Sequence, residues 1–203
     1  MKEIGILGST GSIGSQTLQV IDQFPDRFNV KYLSAQNNVH LLANQALRYK
    51  PDTVCIVNEE KRESLNDALL DTNIKVVSGR SSLLDISRRN DIDLVMNGLV
   101  GAAGMEPTIC ALESHVDVAL SNKESLVMAG NIINQMLEKN STNLFPVDSE
   151  HSAIWQCLVG EKKNQLNKII LTGSGGPFRE KPMEDFIHIN REDALQHPNW
   201  KMG

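Results

Sequence analysis

Aromatic residues are scarce in this chain: two Trp, two Tyr and five Phe among 203 residues. A core must therefore be built mainly from Ile, Leu, Val, Ala and Met. Cysteine is scarcer still. Cys55, Cys110 and Cys157 stand far apart with no Cys-x-x-Cys pair, and an odd count does not make a disulfide framework. Three reduced, buried thiols of a cytoplasmic protein are expected. Positive charge is in deficit: 20 Lys plus Arg against 25 Asp plus Glu leave a net charge of −5 with His neutral. A general nucleic-acid binder would carry a basic excess or a basic face, so no nucleic-acid partner is expected. No apolar run approaches the ~18 residues of a membrane span, which excludes a membrane partner of that kind. Met1-Lys2-Glu3-Ile4 enters a strand-like run at once, without the pattern of a signal or transit peptide.

What is present is ordinary for a folded domain: 40% hydrophobic and 22% charged residues, a balance that argues against global disorder. Short β-branched runs at 4–7, 29–33, 53–57, 74–77, 93–96 and 116–120 alternate with helical patterns such as 13–23, 39–49 and 61–70. Strand, helix and strand at this spacing imply right-handed crossovers and a parallel sheet covered on both faces. The fold expected is α/β, a Rossmann-like doubly wound, mainly parallel sheet followed by the start of a second α/β catalytic domain. The rhythm changes at the polar stretch Lys139-Asn140-Ser141-Thr142-Asn143. This divides the chain into a dinucleotide-binding domain, 1–142, and a partial second domain, 143–203. Beyond the division a strand-like run at 143–147, a helix at 152–159 and a strand at 168–171 are expected, then an irregular, Gly- and Pro-rich segment.

Gly8-Ser9-Thr10-Gly11-Ser12-Ile13-Gly14 sits between the first strand and the first helix. Glycines there let the backbone approach a pyrophosphate, which meets the amides at the helix start. The spacing is GxxGxxG, not GxGxxG, so context carries the reading. At the end of the second strand, Ser34-Ala35-Gln36-Asn37-Asn38 offers no carboxylate to repel a 2′-phosphate and no cation to grip it. NADP is favoured over NAD, with Asn38 also a helix N-cap. Gly98, Gly101 and Gly104 form a second glycine turn, read equally as structure or as a cofactor wall. Ser121-Asn122-Lys123-Glu124 reads as a capping box of Ser121 and Glu124, which leaves Lys123 unexplained at a helix mouth on the ligand edge. In Asp148-Ser149-Glu150-His151, an extended backbone would aim two carboxylates at one point. Oxygen donors of that kind suit Mg²⁺ or Mn²⁺; a solvated acidic turn is the alternative, and the part played by His151 stays open. Thr172-Gly173-Ser174-Gly175-Gly176 exposes backbone amides of the sort that bind phosphate, or is a structural loop. His197-Pro198-Asn199-Trp200 is a polar and aromatic cluster in an irregular region. His40, His115 and His188 are read as ordinary histidines.

Taken in order, GSTGSIG from Gly8, NGLVGAAG from Asn97, NKESLV from Asn122, PVDSEHSAI from Pro146, LTGSGGPFR from Leu171 and HPNWKMG from His197 resemble the 1-deoxy-D-xylulose 5-phosphate reductoisomerase family along the whole chain. The resemblance implies conversion of 1-deoxy-D-xylulose 5-phosphate to 2-C-methyl-D-erythritol 4-phosphate, a step in isoprenoid precursor synthesis. It implies NADPH and Mn²⁺ or Mg²⁺ as cofactors, a homodimer, and a cytosolic or plastid location. Carried over residue by residue, Thr10, Gly11, Ser12, Ile13, Asn38, Asn122, Glu124 and Gly203 would hold the cofactor. Lys123, Ser149, Glu150, Ser174 and His197 would contact the phosphosugar. Asp148 and Glu150 would hold the metal and, with Lys123, form the catalytic set, while Trp200 and Met202 would belong to a flap. The family often has Gly-Lys where this chain has Gln36-Asn37. A third carboxylate ligand lies in the family beyond the point where this chain ends, so the 203 residues are expected to be an incomplete portion, inactive alone. The competing readings are a non-catalytic dinucleotide-binding module and another NAD(P)-dependent dehydrogenase; neither needs the carboxylate pair.

Overall fold

The computed structural model describes residues 1–161, 166–171 and 176–196. These divide into two compact units, Met1–Val159 and Gly160–Gly203.

The first unit is a seven-stranded sheet with helices on both faces. Its strands are β1 (Lys2–Leu7), β2 (Phe28–Ala35), β3 (Thr53–Ile56), β4 (Lys75–Ser78), β5 (Leu94–Asn97), β6 (Asp117–Leu120) and β7 (Leu144–Pro146). Every pairing is parallel, and the order across the sheet is β4-β3-β2-β1-β5-β6-β7. The helices are α1 (Ser12–Gln23), α2 (Val39–Tyr49), α3 (Arg62–Ala68), α4 (Gly79–Ser87), α5 (Met105–Glu113), α6 (Lys123–Asn140) and α7 (Ser149–Leu158). The chain builds outward from β1 in one direction, then returns to β1's other side at β5. That reversal opens a crevice at the carboxyl ends of β1 and β5, where doubly wound proteins bind ligands.

Alternation along the strands explains the two-sided core. Ile4 and Ile6 face Leu18, Ile21 and Leu42 on one side of the sheet, while Leu7 and Val95 join Leu112 and Ile133 on the other. With few aromatics, the core is aliphatic, as its composition requires. Tyr32 is the exception. It is fully buried and lies so close over Gly5 that a Cβ there would fall 2.0 Å from its ring. The pairing of β1 with β2 slips by one residue between Ile4 and Gly5 to admit it.

Strand and helix expectations in the first unit hold to within a few residues, and the run at 143–147 forms β7, which extends the sheet past residue 142. Three readings change. Asp148 and Glu150 do not share one extended segment: Asp148, itself extended, is the N-cap of α7, and Glu150 lies in the first turn of that helix, because an Asp side chain that accepts a first-turn N–H favours a helix start. Ser121 is not the cap of α6. Asn122 is, accepting from the Ser125 N–H at 2.8 Å, while the Ser121 hydroxyl donates to the Asn97 carbonyl. Of the three thiols, Cys55 and Cys110 are buried but Cys157 is exposed.

In the second unit the described residues hold a 3-10 helix, Met183–His188, and the short helix α8 (Arg191–Leu195). Asn190 and Asp193 close a reciprocal capping box at the start of α8. The strand expected at 168–171 does not form: these residues are irregular, and Ile169, Ile170 and Leu171 are exposed. A strand exists only against a partner, and none pairs with this run among the described residues. Among the described residues no helix is long and apolar enough to cross a membrane.

Candidate active site

At the carboxyl end of β1, Gly8 turns the chain with φ +75°, a conformation open to glycine. A Cβ on Gly8 would meet the Gly98 carbonyl at 3.1 Å, so the ends of β1 and β5 touch backbone to backbone at the switch point. Gly14 lies one turn into α1, and a Cβ there would stand 2.3 Å from the Gly8 oxygen. This glycine packs the helix onto the turn. Gly11 differs. It is the N-cap of α1, with extended backbone and no side chain to occupy the first-turn amides, and a Cβ there would meet only the Gly8 oxygen at 3.3 Å. Gly11 and Ser12 are exposed, with Thr10 and Ile13 half-buried beside them. The result is a bare helix start whose N–H groups and positive dipole end face the crevice, an arrangement suited to a phosphate group.

The turn is fastened from behind. Gly8 donates its N–H to the Ser34 hydroxyl at 3.1 Å, and Ser9 donates its N–H to the Ser34 carbonyl at 2.8 Å. Gln45 on α2 adds a buried clasp on Ser9. Ser34 and Gln45 were not singled out from sequence. The available signal was Gln45 itself, a polar residue on the same helical face as Leu42 and Ala46.

Next to the turn lies the loop after β2. Asn38 caps α2, accepting from the Leu41 N–H at 3.1 Å, and Asn37 accepts from the Asn58 side chain at 2.9 Å. Residues 36–38 are exposed and carry no charge. Across the switch point, the second glycine turn is held by two buried asparagines. Asn97 donates to the Gly104 carbonyl and the Thr108 hydroxyl at 2.8 and 2.9 Å. Asn122 donates to the Leu99 and Gly101 carbonyls, both at 2.7 Å, and accepts from the Ser125 N–H and hydroxyl. Its side chain is thus committed to the loop. Glu124, two residues on, is exposed in the first turn of α6.

Lys123 begins α6 after β6, and Asp148-Ser149-Glu150 begins α7 after β7, so neighbouring strands deliver both groups to the same sheet edge. The Lys123 ammonium stands 3.9 Å from the Glu150 carboxylate, with both side chains about half exposed. Such a pair is weak and leaves both groups able to take other partners. Asp148 is held more firmly: one carboxylate oxygen accepts from the His151 N–H at 3.0 Å and meets the His151 ring Nδ1 at 2.7 Å. Partial burial raises the Asp148 pKa, but the two His151 hydrogen bonds and the charges of His151 and Lys123 outweigh it, and the carboxyl lies below its ordinary value. Among the described residues no three His, Cys, Asp or Glu side chains gather as a metal site; Asp148 faces His151, and Glu150 faces Lys123. Ser174, His197, Trp200, Met202 and Gly203 lie outside the described residues. A separate hollow of about 560 Å³ opens at the amino edge of β2 to β4, on the far side of the sheet from these groups.

The fold is a doubly wound parallel sheet of the α/β class with a bare, glycine-lined helix start at its switch point, a lysine two strands away and two acidic residues three strands away along the same edge. The family model for 1-deoxy-D-xylulose 5-phosphate reductoisomerase matches residues 4–130, and the model for that enzyme's C-terminal domain matches residues 144–203. The chain is 52% identical over 203 residues to the 1-deoxy-D-xylulose 5-phosphate reductoisomerase of Chloroherpeton thalassium and 48% identical over 202 residues to that of Bacteroides thetaiotaomicron. Each comparison covers all of this chain and 52% of the relative. Among solved structures, the reductoisomerase of Zymomonas mobilis in complex with NADPH superposes with a TM-score of 0.91 at 36% identity, over 97% of this chain and 52% of that one. A reductoisomerase in complex with NADPH, fosmidomycin and magnesium gives 0.87 at 32% identity, over 100% of this chain and 52% of that one. The chain belongs to the 1-deoxy-D-xylulose 5-phosphate reductoisomerase family. It spans about half the length of the curated relatives it matches.

Proposed function

We propose that this chain carries the cofactor site and part of the metal and substrate site of an enzyme that isomerises and reduces 1-deoxy-D-xylulose 5-phosphate to 2-C-methyl-D-erythritol 4-phosphate. The observation that carries the reading is the meeting, at one sheet edge of a member of this family, of the glycine cradle after β1 with Lys123, Asp148 and Glu150 after β6 and β7.

NADPH fits the cradle, because a Cβ at Gly14 would strike backbone while Gly11 leaves the first-turn amides of α1 open. Thr10, Gly11, Ser12 and Ile13 would line its pyrophosphate, with the N–H groups of Ser12 and Ile13 turned to it while the Gly11 N–H is held by the Gly8 carbonyl at 3.0 Å. Asn38, Glu124, Gly203 and the backbone of Asn122 would complete the cofactor site. The uncharged loop at 36–38 is compatible with a 2′-phosphate. A hard divalent cation fits the donor chemistry of Asp148 and Glu150, two carboxylates of which the first is held ionised. When bound, NADPH supplies a hydride, and Mn²⁺ or Mg²⁺ supplies Lewis acidity toward the carbonyl and hydroxyl oxygens of the substrate. Lys123, released from its long contact with Glu150, offers an ammonium to a substrate oxygen. Ser149, Ser174 and His197 would bind the phosphosugar, and Trp200 with Met202 would exclude water from it.

The functional division is 1–142 for cofactor binding and 143–203 for metal and substrate, and the enzyme is a cytoplasmic or stromal homodimer. The test is product analysis by phosphorus NMR after incubating the natural chain that carries residues 1–203 with 1-deoxy-D-xylulose 5-phosphate, NADPH and Mn²⁺. Appearance of 2-C-methyl-D-erythritol 4-phosphate is expected; an unchanged substrate spectrum would overturn the assignment.

A further inference from the structure

We infer that Gln45, on α2, is a positioning residue for the dinucleotide turn. It acts through Ser9 to fix the orientation of the peptides that face the cofactor. The inference rests on the cofactor reading above and deepens it.

Gln45 sits on the core-facing side of α2, in line with Leu42 and Ala46, and is only 7% exposed; Ser9 is fully buried. An amide in that position loses its water and must recover it in hydrogen bonds. Both ends of the Gln45 amide go to one residue. The Ser9 hydroxyl donates to the Gln45 carbonyl oxygen at 2.7 Å, and the Gln45 amide N–H donates to the Ser9 backbone carbonyl at 2.9 Å. The Ser9 N–H is already held by the Ser34 carbonyl. With the N–H, the C=O and the hydroxyl all fastened to β2 and α2, the peptide joining Ser9 to Thr10 cannot rotate. Its direction sets where Thr10 and the N–H group of Ser12 point, the Gly11 N–H being turned back onto the Gly8 carbonyl at 3.0 Å.

A purely apolar face at position 45 would pack α2 onto the sheet equally well, since Leu42, Ala43 and Ala46 do so around it. What an apolar residue could not do is hold the back of the turn. From the α1 side the turn has only a long bond from the Ser15 hydroxyl to the Ser9 carbonyl at 3.4 Å and the Gly11 N–H closing on the Gly8 carbonyl at 3.0 Å; the cap position itself is a glycine without a side chain.

The test compares Gln45→Met, which keeps the volume and removes both hydrogen bonds, with Leu42→Val, which loosens the same helix one turn away. Both are measured in the natural chain, with wild type alongside. Gln45→Met is expected to weaken NADPH binding by about tenfold, as the loss of one to two net hydrogen bonds implies. The KM for NADPH should rise by the same factor, while kcat at saturating NADPH and the KM for the phosphosugar stay near wild type. Leu42→Val should lower Tm and leave NADPH affinity unchanged. Equal NADPH affinity for Gln45→Met and wild type would overturn the inference, as would an equal loss in Leu42→Val. Should Gln45→Met fail to fold, Ser9→Ala, which removes the hydroxyl half of the clasp, decides: a several-fold weaker NADPH affinity supports the positioning role, and an unchanged one overturns it. A wild-type protein that binds no NADPH would instead remove the cofactor reading on which the inference stands.

Discussion

Two glycines of the same turn stand in opposite situations, and single substitutions separate them. At Gly14 an added methyl would overlap the Gly8 oxygen and the Ser9 backbone, so Gly14→Ala should destabilise the fold by about 1–3 kcal/mol, the usual cost of forced overpacking. At Gly11 the backbone is extended, and an added Cβ would meet a single protein atom, the Gly8 oxygen at 3.3 Å, which has to yield by only a few tenths of an ångström. Gly11→Val should therefore keep its Tm and lose NADPH affinity by about tenfold or more, because the side chain occupies the phosphate's approach rather than the core. Thermal melts and fluorescence titration of the two variants check both halves. Asn37 offers a second test. Its carbonyl oxygen is held by Asn58, at the loop where a nicotinamide enzyme reads the adenosine ribose. Asn37→Lys should raise the preference for NADPH over NADH, and Asn37→Asp should reverse it by placing a carboxylate against the 2′-phosphate. Ratios of kcat/KM for the two cofactors measure this; unchanged ratios in both would move the ribose site elsewhere.

α7 shows why the acidic motif was only half legible. The residue types of Asp148 and Glu150 announced a cation site, but a period-two reading of their geometry assumed extended backbone. The cap preference of Asp, whose carboxylate accepts from the His151 N–H, starts a helix there instead. Asp148 thus carries two duties that substitutions can split. Asp148→Asn keeps a capping acceptor and removes the charge. Turnover should fall steeply, with Tm and NADPH affinity nearly unchanged. Asp148→Ala loses the cap as well and should cost about 1 kcal/mol in addition. Equal turnover in Asp148→Asn and wild type at limiting Mn²⁺ would reduce the pair to a surface turn. Strands β1 to β6 were legible because each buried strand is a short β-branched run followed by a helical period. The run at 168–171 misled because strand propensity says nothing of whether a partner lies alongside. Gln45, and the loop-clasping role of Asn122, escaped because a buried amide's partners are set by tertiary approach, here between residues 36 positions apart for Gln45 and Ser9 and 23 apart for Asn122 and Leu99.

The sheet places its ligand groups at one end and an ionic staple at the other. At the amino edge, Arg89 joins Asp52 before β3 to Asp91 before β5, and Lys31 of β2 bridges Asp52 and Glu3. Hydrogen bonds from Arg89 hold the carboxyls of Asp52 and Asp91 below their ordinary 3.8. A depressed carboxyl stabilises the fold above its unfolded pKa and loses that contribution as pH falls through the folded one. Acidification below about pH 4 should therefore unfold the protein in part through this staple. Arg89→Met should melt lower at neutral pH and show a shallower fall in Tm between pH 4 and pH 2; parallel curves would remove the staple from the acid response. At the opposite edge stands the central claim, that the glycine cradle and the carboxylate pair serve one reaction. The most direct measurement is nicotinamide absorbance in the natural chain with 1-deoxy-D-xylulose 5-phosphate and NADPH present and Mn²⁺ first withheld, then added. The account predicts a steady absorbance without metal and oxidation of NADPH once Mn²⁺ is supplied. Substrate-dependent oxidation at the same rate with and without metal, or none under either condition, would contradict it.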